Sequence, residues 1–183
     1  MKRTSYIPSN IISYFALLLF CCLAHAEQPD VRSVGTLDIQ RYIGKWYEIA
    51  AFPMYFQRNC IGDTTAEYAL DSKGEIDVTN RCRTKDGFDQ ATGKAWQASP
   101  SSASQLKVSF FWPFRADYWV IGLDENYQWA VVGNPNRKYL WILARTPDLN
   151  KNALEDALSV AKAQGYDLNQ LKFTKHGDGL KHD

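Results

Sequence analysis

Glu48 is the side chain best placed to do chemistry, a carboxylate among aromatic and aliphatic neighbours in Trp46-Tyr47-Glu48-Ile49-Ala50. Facing an apolar interior, its charged form would be poorly solvated, so it needs a hydrogen-bonding partner or a raised pKa. A structural hydrogen bond to a tyrosine or a backbone amide is the expected role, with ligand sensing as the alternative. Beyond residue 26 the histidines are His176 and His182, both in the terminal tail. Neither is available to build a Ser-His-Asp arrangement, and no haem or zinc ligand set is evident. Cys60 and Cys82 are far apart in sequence, unlike the C-x-x-C spacing of a redox pair. No catalytic residue, metal or cofactor is therefore expected.

The densest aromatic cluster is Phe110-Phe111-Trp112-Pro113-Phe114, followed directly by Arg115. Large apolar groups at a loop tip call for a reason: an apolar lip for acyl chains, or a patch touching membrane or a second subunit. For Phe110 and Phe111, filling the interior is an equal alternative. Arg58, Lys85, Arg137 and Lys138 share the expected rim with Arg115. Such residues can hold an anionic headgroup, arginine doing so bidentately. Loop charges are more often only solvated, and Asp86, Asp89 and Asp117 are nearby.

These placements depend on a series of short strands, predicted at 45–52, 64–70, 75–83, 93–99, 105–111, 117–123, 128–133 and 139–145. Turn sequences such as Asp71-Ser72-Lys73-Gly74 and Gly133-Asn134-Pro135-Asn136 separate them. The expectation is an all-β protein: an eight-stranded antiparallel up-and-down β-barrel, which leaves no exposed sheet edge. After Pro147 the period becomes helical. Asn150 can cap a helix whose Ala153, Leu154, Ala157, Leu158 and Ala161 form one apolar stripe, expected to pack on the barrel wall. A short strand at 171–174 and a polar tail from Lys175 finish the chain.

In such a meander the first strand leaves the end at which the eighth arrives, so Trp46 and Arg145 can meet there. A guanidinium over an indole face contributes roughly 0.5–2 kcal/mol and would seal a floor behind Gly44. Strand alternation then sends Glu48 and Ala50 inward with Trp46, and Tyr139, Trp141 and Leu143 inward with Arg145. Tyr118 joins the candidate lining from the sixth strand. The open end is ringed by the connections 53–63, 84–92, 112–116 and 134–138.

Lys2 and Arg3, an apolar run from Ile11 to Ala24 broken by Ser13, and Ala24-His25-Ala26 have the form of a secretory signal peptide. Cleavage after Ala26 leaves residues 27–183 as one domain. Removing Lys2 and Arg3 from 21 basic residues leaves 19 against 20 acidic ones, which gives no electrostatic case for nucleic acid. Cys21 and Cys22 fall in the signal segment. Cys60 and Cys82, both at the mouth end of an exported protein, are expected to form a disulfide.

The G-x-W of Gly44-Lys45-Trp46, paired with Arg145 at the far end of the strand series, resembles the lipocalin family, in particular its bacterial outer-membrane and apolipoprotein D-like group. The resemblance covers essentially residues 27–183. It implies reversible, non-catalytic binding of a small hydrophobic ligand, a fatty acid or lysophospholipid, in storage or transport serving the bacterial envelope and its membrane maintenance. It also implies an outer-membrane lipid anchor as an alternative to a soluble periplasmic protein. Leu19-Phe20 put bulky groups where small ones precede a lipidated cysteine, so the soluble form is expected. Contact with a membrane surface and a homodimer are further possible partnerships. An enzyme acting on a lipid within the same scaffold, and a structural protein with a filled barrel, are the alternative readings.

Overall fold

The computed structural model of the protein describes residues 29–177; the expected signal segment, Cys21, Cys22 and His182 lie outside the described residues. Among the described residues, eight strands run up and down in order. They are β1 (Gly44–Ala51), β2 (Gly62–Leu70), β3 (Ile76–Thr84), β4 (Gly87–Gln97), β5 (Gln105–Phe111), β6 (Phe114–Leu123), β7 (Trp129–Gly133) and β8 (Leu140–Ala144). Each pairs antiparallel with the next, and β1 pairs with both β8 and β2, closing the barrel. A short helix α1 (Ile39–Tyr42) precedes β1, and the longer α2 (Lys151–Ala163) follows β8. A two-residue β9 (Lys172–Phe173) then adds to β1.

Local chemistry sets these boundaries. Between β2 and β3, the Asp71 carboxylate accepts from the backbone N–H groups of Lys73 and Glu75 at 2.8 and 2.9 Å, which closes the turn. Asn150 caps α2 by accepting from Ala153 N at 3.0 Å. The expected apolar stripe then buries Ala157 and Ala161 against the outer wall. Ile121, Val131, Ile142 and Leu140 form that wall, while Val78, Leu106, Val120, Val132 and Leu143 belong to a separate interior cluster. The two faces of β6 and β7 are apolar because one looks into the barrel and the other lies under the helix.

Three differences from the sequence expectation have local causes. First, β4 begins at Gly87 rather than 93, so the expected loop 84–92 is a tight turn at Lys85-Asp86 leading into a long hairpin, with Thr84 paired to Gly87. The added residues are all exposed, so neither face is buried and alternation gives no signal there; Phe88 lies beneath the Arg81 guanidinium at 4.0 Å. Second, Phe111 pairs with Phe114, so the expected loop 112–116 is reduced to the turn Trp112-Pro113. Third, a bulge at Ile49 shifts the register from Glu48↔Leu143 to Ala50↔Ile142. Ala50, expected to face inward, therefore turns to the side of Ile142 and joins the cluster beneath α2.

The floor forms where the first and eighth strands meet. Arg145 places its guanidinium carbon 3.8 Å from the centre of the fully buried Trp46 ring. Its nitrogens donate to the carbonyls of Lys45, Arg41, Tyr42 and Ile43 at 2.6–3.1 Å. The indole N–H of Trp46 donates to Tyr42 O at 2.8 Å. Gly44 has φ +93, and a Cβ there would lie 3.4 Å from Arg145 Nη1. The glycine thus serves both a left-handed backbone and the close approach of the guanidinium.

Candidate ligand cavity

Above this floor the barrel encloses a cavity of about 310 Å³. Tyr118 of β6, Trp141 and Leu143 of β8 and Tyr139 just before it line the cavity, the last three being those that alternation from Arg145 sends inward. At the mouth Phe110, Phe114 and Arg115 join the lining. Trp112 lies outside the lining at 73% exposure, with Arg115 5.6 Å from its ring. Ala50 is outside the lining as well, for the register reason given above. Phe111 and Phe114 stack at 6.3 Å and are more than two-thirds exposed, so the lip turns large apolar surface to solvent.

Glu48 occupies the upper wall, 7% exposed. Its partners are a glutamine and a threonine, not the tyrosine or backbone amide expected. Gln57 Nε2 donates to Oε2 at 2.9 Å, and Thr174 Oγ1 donates to Oε1 at 2.6 Å. Burial raises the pKa of this carboxyl, with the Thr174 and Gln57 hydrogen bonds opposing the shift. Glu48, Gln57 and Thr64 also border a broader groove of about 480 Å³ between the first mouth loop and β9.

The tail from Lys175, expected to be simply polar, is docked through Gly177. Lys175 O accepts from Asp63 N at 2.8 Å, and Gly177 N donates to the Asp63 carboxylate at 2.8 Å. His176 Nε2–H donates to Glu48 O at 2.8 Å, and its ring meets Tyr47 edge-on at 5.6 Å. These residues cover the part of β1 above Tyr47, where β2 no longer pairs with it. Among the described residues no three His, Cys, Asp or Glu side chains gather as a metal-binding group would require.

Cys60 and Cys82 form a disulfide with a Cα–Cα distance of 5.6 Å, tying the first mouth loop to β3. Of the basic rim expected from sequence, Arg115 borders the cavity. Arg137 does not reach it: its Nε donates to Gln164 O at 2.7 Å at the end of α2, and it also bonds Pro29 O.

Sequence reasoning missed Tyr42 and Tyr68. Their hydroxyls meet that of Tyr118 deep in the barrel, at 2.7 and 2.8 Å. Alternation along β2, through Thr64, Ala66 and Tyr68, was the available signal for Tyr68. Gln57 lies in the first mouth loop and Thr174 closes the short strand expected at 171–174, and no spacing rule marks either as a partner of Glu48.

A closed antiparallel barrel with a sealed floor, a flanking helix and an apolar cavity under an open mouth defines a ligand-binding calyx. A Lipocalin-like domain family matches residues 37–176, and the chain belongs to the lipocalin family. It is 39% identical over 163 residues to outer membrane lipoprotein Blc of Vibrio cholerae serotype O1, covering 87% of this chain and 94% of that protein. It is 33% identical to mouse apolipoprotein D over 164 residues, 83% of this chain and 82% of that protein. Among solved structures, insecticyanin of the tobacco hornworm superposes with a TM-score of 0.67 at 22% identity, over 84% of this chain and 88% of that one.

Proposed function

We propose that the protein binds single-chain amphiphiles, fatty acids or lysophospholipids, without catalysis, and carries or stores them in the bacterial cell envelope. The observation that carries this reading is the apolar cavity of about 310 Å³ opening between Phe110, Phe114 and Arg115. That volume falls within the range of about 300–1,000 Å³ usual for small-molecule sites. It speaks against a barrel filled by its own side chains. The acyl chain lies inside and the headgroup stays at the mouth, where Arg115 offers a cation. The exposed Phe111, Trp112 and Phe114 suit contact with a membrane surface from which such a ligand is drawn.

Residues 1–26 act as an export signal, leaving 27–183 as the periplasmic protein. Anchoring to the outer membrane through Cys21 or Cys22 is the alternative, favoured by relatives named as outer membrane lipoproteins. Titration with a lysophospholipid and with a two-chain phospholipid of the same headgroup, followed by tryptophan fluorescence, tests the ligand class. Saturable binding of the single-chain lipid, and weaker binding of the two-chain one, is expected. The reverse preference would contradict it.

A further inference from the structure

The deep end of the cavity is polar. Tyr118 Oη lies 2.7 Å from Tyr42 Oη and 2.8 Å from Tyr68 Oη, and among the described residues these hydroxyls have no other hydrogen-bond partner. Three hydroxyls carry three protons, and two hydrogen bonds use two of them. Whichever way each bond runs, one O–H donor is left over, on Tyr42, Tyr68 or Tyr118. Tyr68 and Tyr118 line the cavity, whereas Tyr42 is 1% exposed behind them. An unpaired donor costs most where it is sealed from any partner, so the spare proton belongs on Tyr68 or Tyr118. Burial raises the pKa of all three phenols, that of Tyr68 to about 12, so they remain donors across the physiological range.

A second unsatisfied group lies in the same lumen. Asn80 lines the cavity from β3, two residues beyond Val78, which pairs with Tyr68. Two residues are about 7 Å of strand, so Asn80 stands a little higher on the wall. Its Oδ1 is buried with no partner among the described residues. The lumen around these groups is formed by Val78, Ala95, Leu106, Val108 and Leu143. The lower lumen, apolar apart from the tyrosine hydroxyls, thus holds one spare donor, with an unpartnered acceptor, Asn80 Oδ1, buried in its wall.

We infer that the barrel selects oxygenated acyl chains, with a hydroxyl or keto oxygen on the buried part of the chain accepting from the Tyr68–Tyr118 pair. This rests on the amphiphile reading above and narrows it: the ligand is polar at the mouth and again at depth. An unsubstituted chain covers the spare donor without pairing it. A site built to hydrogen-bond a ligand oxygen rejects the analogue lacking it far more strongly than it senses one methylene.

The test is a calorimetric titration of delipidated protein with hexadecanoate and with hydroxyhexadecanoates whose hydroxyl is moved along the chain. At least one positional isomer should bind about tenfold more tightly than hexadecanoate, a modest share of the discrimination such sites reach. The Tyr68→Phe/Tyr118→Phe double variant should lose that advantage, binding the favoured isomer no more tightly than it binds hexadecanoate. Saturable binding of hexadecanoate with no isomer binding more tightly overturns this inference and leaves the amphiphile reading standing. No binding of any chain overturns both. Should the double variant not fold, the positional series on the unaltered protein decides by itself.

Discussion

Thr174 donates to the Glu48 carboxylate at 2.6 Å, joining the end of the chain to the first strand across 126 residues of sequence. With Gln57 supplying a second donor, the buried carboxylate is held between the mouth loop and the C-terminal segment. One side chain thus borders both the central cavity and the groove beside β9. Its protonation is linked to the stability of the fold.

Burial raises the Glu48 pKa above its ordinary value of 4.5. The native state then holds this proton more tightly than the unfolded chain does. The contribution is fully present below the unfolded pKa and is lost as pH rises through the folded one. Thermal unfolding from about pH 4 to about pH 7 should show the wild type losing stability relative to Glu48→Gln as pH rises. A wild type that gains on the variant over that range would mean the Thr174 and Gln57 hydrogen bonds outweigh burial.

Trp46→Ala should destabilise the fold by about 3–5 kcal/mol, the cost of removing a buried indole. Trp112→Ala removes the same side chain from a position 73% exposed and should cost under about 0.5 kcal/mol. Chemical denaturation of the two variants checks this. Equal shifts in midpoint would contradict the placement of the floor and the lip.

Arg145→Lys keeps the charge and loses the planar fork. The guanidinium serves the carbonyls of Arg41, Tyr42, Ile43 and Lys45 while covering the Trp46 ring. An ammonium cannot meet that set, so a loss of at least about 2 kcal/mol is expected in equilibrium unfolding. A variant as stable as the wild type would show that charge alone holds the floor.

Replacing both Cys60 and Cys82 with serine reopens a loop with a sequence separation of 22 residues. The expected loss is about 3 kcal/mol by chain entropy. For a domain of this size that corresponds to a fall in Tm of roughly 10 °C. An unchanged Tm would show that the first mouth loop is held by its other contacts.

The barrel was legible because its rules are periodic. Turn residues separate the strands, and Trp46 and Arg145 must share an end if eight strands close. The apolar stripe of α2 was equally plain and placed the helix on the barrel wall, but period alone could not say which face of β6 it covers. Ala50 was misplaced because a bulge at Ile49 is a register event, and alternation assumes that none occurs. The first residues of β4 were missed because a strand end exposed on both faces has no buried side to betray it. In the cavity, β8 alternation found Tyr139, Trp141 and Leu143. The partners of Glu48 come from an irregular loop and from a tail docked 126 residues away in sequence, which no local pattern encodes.

Whether the cavity takes a single acyl chain, as proposed above, is decided by titrating the delipidated protein with lysophospholipids of increasing chain length, read by quenching of the intrinsic tryptophans. Each methylene buried adds about 0.8 kcal/mol before losses, so affinity should climb with chain length and level off once the cavity is filled. A flat response across chain lengths, or no saturable binding, would contradict the account.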